Sequence, residues 1–382
     1  MIYLDNAATT RIDAEVLLAM TRCCEKMFAN PGSIHAAGWQ AKTEMERARL
    51  QVASLIHSSP QHIVFTSGGS ESNALALLGV ADHLKRAGRK HLLFSPIEHK
   101  SVLKCAERLE EQGFEIEFLP VGQSGRVSTQ DVEARIRPDT GLVSVMCVNN
   151  ETGVSNDIYE IADVCHDFGV LFHADCVQAF GKLKLYGDHH CVDFLSASAH
   201  KLHGPKGVGC LYVRDRTLLS PQILGGSQEF GLRAGTENVP GIVGFGVAAE
   251  LAKKRQEQSY ASNGAYRLAS KVMEQLGGIA HMNGAADPNG YIANLRFDGV
   301  SGESLVLMLS SLGVMVSAGS ACTANNNKPS HVLKAMGLTD EEARSSIRVS
   351  TSYDTTEEDI ETAARHIVAC VRELRSIVGA GA

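Results

Sequence analysis

Val192-Asp193-Phe194-Leu195-Ser196-Ala197 runs into Ser198-Ala199-His200-Lys201 and then into Gly204-Pro205-Lys206-Gly207-Val208-Gly209. The first six residues are mostly apolar and have the length of a buried strand. Small and polar residues close it, and a lysine follows. A lysine leaving a buried strand is costly unless its charge is paired or removed. A Schiff base removes the charge, and partial burial makes the amine a better nucleophile. Lys201 is therefore read as an amine held for covalent chemistry, against the alternative of a surface lysine in a loop. The residues that decide between these lie at the ends of the other strands.

Strand and helix patterns alternate around this stretch. Asn30-Pro31-Gly32-Ser33 marks a turn, and a helical pattern runs from about Gly38 to Ile56. Strand Ile63–Thr66 enters the small-residue turn Ser67-Gly68-Gly69-Ser70-Glu71-Ser72-Asn73, and a helix continues to about Lys85. Strands at 91–95, 115–119, 142–148 and 170–174 are separated by helices at 101–112, 129–136 and 157–168. Strands 192–197 and 209–213 complete the set. Such alternation predicts a mostly parallel sheet with helices on both faces. A helical pattern over about 239–276 links this part to a second one. There, strands 293–297, 314–317 and 346–351 with helices 302–311 and 356–375 predict a smaller α+β domain. The expected division is a large domain over 14–255 and a small one from 1–13 with 256–382.

In an open α/β sheet the ligand sits beyond the carboxyl ends of the strands. His99, Asn150, Asp175, Gln178, Ser198, His200 and Lys201 all fall there. Each alone reads as an ordinary loop residue, but together they furnish one sheet edge with polar groups. The turn at Gly69-Ser70 opens a helix, where free amides and a hydroxyl suit a phosphate; a plain helix cap ending at Asn73 is the alternative. Pyridoxal phosphate (PLP) requires such a set: a lysine, a carboxylate to keep the pyridine nitrogen protonated, and a phosphate cradle. Asp175 suits the nitrogen, Gln178 and Asn150 the ring hydroxyl, and His99 the ring face with a proton to move. Ser70, Ser198 and His200 suit the phosphate. A metal site using Asp175 with His189-His190-Cys191 is the competing use, and no metal is expected because that spacing fits no common ligand pattern.

Two residues lie in the smaller domain. Cys322 stands in Ser317-Ala318-Gly319-Ser320-Ala321-Cys322-Thr323, at the tip of a small-residue loop over about 318–329. An accessible thiol there is a candidate nucleophile, a harmless exposed cysteine being the alternative. Arg348, inside a strand pattern, is a candidate clamp for a substrate carboxylate, or else an ordinary salt bridge.

Composition removes several classes of function. The chain has 382 residues and a formal charge of −7, with no strongly basic half, so direct nucleic-acid binding is not expected. No apolar run has the length of a membrane span, and the first residues lack the pattern of a signal peptide. A cytoplasmic protein is expected. Its ten cysteines are scattered, with no Cys-x-x-Cys, which argues against a zinc ribbon and a secreted disulfide scaffold.

Taken together, the motifs resemble the cysteine desulfurases, the NifS/IscS-like group I of the fold-type I PLP enzymes in the class V aminotransferase family. The resemblance rests on Tyr3–Thr10, Asn30–Ser33, Thr66–Asn73, Glu98-His99-Lys100 and Val148–Glu151, and on His173-Ala174-Asp175 with Gln178. Ala199-His200-Lys201, Arg233–Thr236 and Gly319–Cys322 complete it. It implies a large domain with a mostly parallel seven-stranded sheet and a smaller α+β domain. It implies conversion of L-cysteine to L-alanine, a persulfide on Cys322, and a sulfur-acceptor protein. Lys201 would carry PLP, Asp175 would pair its nitrogen, and His99 would stack on it. Gly69, Ser70, Ser198 and His200 would hold its phosphate, joined by Thr236 of a second copy in a homodimer. Arg348 and Asn150 would hold the substrate carboxylate. Departures from the family pattern are Ser70 for threonine, Ala199 for glycine and Ala318 for serine, and a chain end without the tail of scaffold-docking members. Rival readings are transamination, selenocysteine cleavage, and a non-catalytic platform for sulfur transfer.

Overall fold

The computed structural model describes residues 1–187, 191–257, 263–286, 289–318 and 328–379. Its strands in chain order are β1 Ile2–Tyr3, β2 Ile63–Thr66, β3 His91–Phe94, β4 Glu115–Phe118, β5 Thr140–Ser144 and β6 Leu171–Asp175. They continue as β7 Phe194–Ser198, β8 Gly209–Val213, β9 Ala280–Met282, β10 Ile292–Phe297, β11 Val314–Met315 and β12 Ser346–Ser350. Seven form one sheet in the order β2-β8-β7-β6-β5-β3-β4. The pairs among β7, β6, β5, β3 and β4 are parallel, and β8 runs antiparallel to both β7 and β2.

The alternation of side chains builds two apolar layers. Ile63, Leu93, Val143, Leu195 and Tyr212 face one core, while their neighbours Val64, Leu92, Leu142, Phe194 and Leu211 face the other. Strands buried on both faces carry no exposed charge, and their polar residues, such as Ser144, His173 and Ser196, bond one another inside the sheet. The edge strand β4 differs: Glu115 and Glu117 interrupt its apolar run, and its terminal residues are exposed. Helices Ala36–Leu55 and Val239–Glu257 cover one layer at close range. A Cβ on Gly246 would stand 2.6 Å from Ala48 Cα, so glycine permits that approach. Among the described residues no helix is long and apolar enough to cross a membrane.

A separate core joins Leu4, Leu268, Val272, Leu295, Phe297, Leu305, Val349, Ile360 and Ile367. It underlies the antiparallel sheet β12-β10-β9, and β1 pairs with β11 beside it. The chain start thus belongs partly to this core through Leu4, whereas Ala7 packs into the larger one.

Some expected elements differ. The helix expected over 239–276 is two helices, Val239–Glu257 and Gly264–Leu276. Phe245 and Ala248 of the first face the large core, and Leu268 and Val272 of the second face the small one. One straight helix does not serve both. Strand 142–148 ends at Ser144. Beyond it Val145 and Cys147 still donate to the β6 carbonyls of His173 and Asp175, but the Met146 N–H is taken by the buried Glu98 carboxyl and the Met146 carbonyl by Asn156 Nδ2, so side chains replace the ladder on that side. The helix expected to reach Lys85 is divided at Val80, and strand 314–317 ends at Met315, with Ser317 keeping an isolated bridge to Arg348.

Candidate active site

The carboxyl ends of β6 and β7 and the start of helix Gly69–Gly79 enclose a cavity of about 250 Å³. Gly69, Ser70, His99, Asn150, Asp175, Gln178, Ser198, His200, Lys201 and Arg348 all line it. Ten of the expected site residues therefore meet in one place, although they span the chain from 69 to 348. Two do not. Cys322 lies outside the described residues, as do His189 and His190. Thr236 is exposed and lines a different hollow, with Cys24, Phe28 and Asn30.

Lys201 ends a single helical turn, Ala199–Lys201, that follows β7 directly. Its Nζ donates to the carbonyls of Ala7 at 2.5 Å and Ala8 at 2.8 Å. The amine is thus aimed across the cavity wall by the N-terminal segment, far away in sequence. His200 beside it is bonded to Thr9 Oγ1 at 3.1 Å. Burial, with the Lys201 charge next, pushes its imidazole down to about 4. His200 is therefore neutral near pH 7.

Asp175 ends β6 and is 4 % exposed. Its Oδ1 accepts from Val177 N at 2.9 Å and its Oδ2 from Asn73 Nδ2 at 2.8 Å. Gln178 donates from Nε2 to the Ala7 carbonyl at 2.8 Å and accepts from Lys182 Nζ at 3.2 Å. Lys182 is pushed down to about 7, first by burial and then by the charges of Lys201 and Arg348. His99 caps helix Lys100–Glu111, its Nδ1 accepting from Ser101 N at 3.2 Å. Burial holds its pKa below the ordinary value.

Part of the cavity wall is a helix start. Gly68 has φ 152°, a conformation that favours glycine. A Cβ on Gly209 would approach Gly68 Cα to 2.7 Å, so β8 and the turn fit only without side chains. Here Ser70, Ser198 and His200 also border a wider hollow with Ser67, Lys206 and Gly207. Amides of a helix N-terminus, the serine hydroxyls and a lysine suit an anion.

Arg348, in β12, is fully buried but for its 2 % exposure. Its guanidinium donates to the Asn150 carbonyl at 2.9 Å and to Asp5 Oδ1 at 2.6 Å. Nε has no hydrogen-bond partner among the described residues. Arg348 makes the salt bridge with Asp5 and also lines the cavity. The bonds tie the small core, the chain start and the end of the β5 segment to one cationic group.

Four residues escaped the sequence reading. Asn73 was expected at most as a cap, Ser101 and Lys182 carried no signal, and Glu98 stood only as a neighbour of His99. Glu98 is fully buried, and burial, with the Asp175 charge next, pushes its carboxyl well above the usual range.

The chain matches the family model described as Aminotransferase class-V over residues 2–362. The mouse protein named cysteine desulfurase is 44 % identical over 384 residues, covering 98 % of this chain and 82 % of its own. A solved structure described as a NifS-like protein superposes with a TM-score of 0.89 at 35 % identity, covering 98 % of this chain and 100 % of its own. Another, described as SspA in complex with cysteine, gives a TM-score of 0.80 at 37 % identity, covering 92 % and 98 %.

Proposed function

The chain belongs to the class V aminotransferase family and is a cysteine desulfurase, and from that premise we propose that it works with PLP on Lys201 and passes the substrate's sulfur to Cys322. The cavity supports the cofactor by its donor set. The lining brings together a lysine amine, a buried carboxyl group and the hydroxyls of Ser70, on a helix start, and Ser198. Lys201, Asp175, Gln178, Asn150 and His99 would hold the ring, and Gly69, Ser70, Ser198 and His200 its phosphate. When bound, PLP supplies an electron sink for charge developing at the substrate's α-carbon.

Arg348 draws the substrate carboxylate into the cavity by charge and by parallel N–H donors, with Asn150 beside it. Asp5, by pairing part of that guanidinium, fixes its plane. Lys201 takes the α-proton, its amine steered by the Ala7 and Ala8 carbonyls. His99 keeps one proton on Nε2 for a group above it. The Cys322 thiolate bonds to the substrate sulfur. The carbon–sulfur bond breaks with its electrons left on carbon, and protonation there gives alanine. The persulfide on Cys322 then goes to an acceptor protein.

Thr236 is the residue on which a homodimer is proposed. It is exposed and lines a hollow apart from the Lys201 cavity, together with the apolar Phe28, which is 84 % exposed. A second copy covers that surface, and its Thr236 reaches the hollow at the phosphate end.

The single observation that carries the residue assignment is the convergence of Lys201, Asp175, His99 and Arg348 on one cavity. The test is L-cysteine added to the purified holoenzyme without reductant, with peptide mass spectrometry and an alanine assay. One additional sulfur atom on the Cys322 peptide, with alanine, is expected. Alanine without that sulfur would move the chemistry away from Cys322.

A further inference from the structure

A continuous hydrogen-bond chain joins Asp175 to His99. Asn73, on helix Gly69–Gly79, lines the cavity and is 1 % exposed. Its Nδ2 donates to Asp175 Oδ2 at 2.8 Å and to Ser101 Oγ at 2.9 Å. Those bonds use both amide protons. The amide's orientation is forced, because turning it over would set an oxygen against a carboxylate oxygen. Its Oδ1 has no hydrogen-bond partner among the described residues. Ser101 Oγ, already an acceptor from Asn73, has one proton to give. His99 Nδ1 lies 2.7 Å from it and also faces the Ser101 backbone N–H at 3.2 Å. A ring nitrogen facing two donors carries no proton itself, so the neutral imidazole holds its proton on Nε2. Burial favours that neutral ring.

We propose that Asn73 and Ser101 are positioning residues that couple Asp175 to His99 and fix His99 as the Nε2–H tautomer. This rests on the reading that His99 faces the cofactor. Two groups that act on opposite parts of one ring are then oriented by the same amide. Asn73 gives Asp175 one of its two donors and, through Ser101, sets which nitrogen of His99 can donate. Ser101 caps nothing in this scheme; its helix start is already capped by the imidazole it orients.

The test is ¹⁵N NMR of histidine-labelled enzyme, as apoprotein and with PLP, across neutral pH, with His99 assigned by His99→Gln. Wild type is expected to show one tautomer, protonated at Nε2, with resonances that move when PLP is added. Ser101→Ala is expected to shift the tautomer ratio by roughly fivefold toward Nδ1–H, the effect of one net hydrogen bond. Asn73→Ala is expected to act in the same direction, because the serine hydroxyl is then free to turn and accept. Ser101→Thr keeps the hydroxyl and is expected to restore the wild-type spectrum. In turnover, Ser101→Ala lowers kcat with KM for cysteine held. An unchanged tautomer in Ser101→Ala overturns the proposal even if Asn73→Ala fails to fold. His99 resonances that do not move with PLP overturn its premise, and the proposal with it.

Discussion

His173 gives the fold a measurable response to acid. It lies in β6, fully buried, two residues before Asp175. Its Nδ1 is bonded to Ser144 Oγ at 2.8 Å on β5 and its Nε2 to Ser196 Oγ at 3.1 Å on β7. The imidazole thus rivets three adjacent strands while neutral. Burial alone pushes its pKa down to about 3. In the unfolded chain a histidine titrates near its ordinary value of about 6.5. Below that value the unfolded state binds a proton that the folded state refuses, so stability falls with pH until the folded value is reached. At pH 5 the unfolded state is favoured by about 1.5 pKa units of binding, or roughly 2 kcal/mol, and at pH 7 by almost nothing. The perturbation is His173→Gln, which keeps a donor and an acceptor and cannot titrate. Urea unfolding of holoenzyme and variant is followed by circular dichroism at pH 7 and pH 5. Between those two values wild type is expected to lose roughly 2 kcal/mol more than the variant. Other groups titrating in the window are common to both proteins and cancel. Parallel losses would refute the reasoning, because they would mean that His173 takes its proton inside the fold.

Arg348→Lys is expected to raise KM for L-cysteine by roughly 30-fold, about 2 kcal/mol, with a smaller effect on kcat, since it removes the planar fork but keeps the charge; steady-state alanine production checks this. Glu98→Gln is expected to flatten the alkaline side of the stability curve. The folded state holds the Glu98 proton above the usual carboxylate range, so its stability is full at low pH and declines as pH rises through the raised value; urea titrations at successive pH values show the difference. Glu229→Gln is expected to destabilise by about 3–5 kcal/mol, read by thermal or urea unfolding. That carboxylate meets Arg49 twice at 2.7 Å and Phe65 N at 2.7 Å, with both side chains at most 3 % exposed.

Most of the sheet was legible because its signals are local. Strand 209–213 has the bounds expected of it, and β2, β3 and β7 differ from expectation by at most two residues at either end. Lys201 was identified from its place after such a strand, and the strand-end rule brought Asp175, Gln178 and Ser198 to the same edge. Errors fell where side chains from elsewhere finish the hydrogen bonding. The segment after Ser144 reads as a strand by composition, yet Glu98 takes the N–H that a neighbouring strand would have taken. The helix at 239–276 reads as continuous by periodicity, but its halves belong to different cores.

The sequence by itself determined the alternating architecture, the place of Lys201 after a buried strand and the residue types at the neighbouring strand ends, because each depends on residues close together along the chain. Tertiary structure decided how those groups are aimed. Arg348 pairs with Asp5 across 343 positions and Lys201 bonds Ala7 across 194. Asn73, an ordinary capping residue by pattern, becomes the bridge between Asp175 and Ser101 only once two helices and β6 have packed together. A hydrogen bond acts only within about 3 Å, and distances of that kind between remote residues exist only in the folded chain.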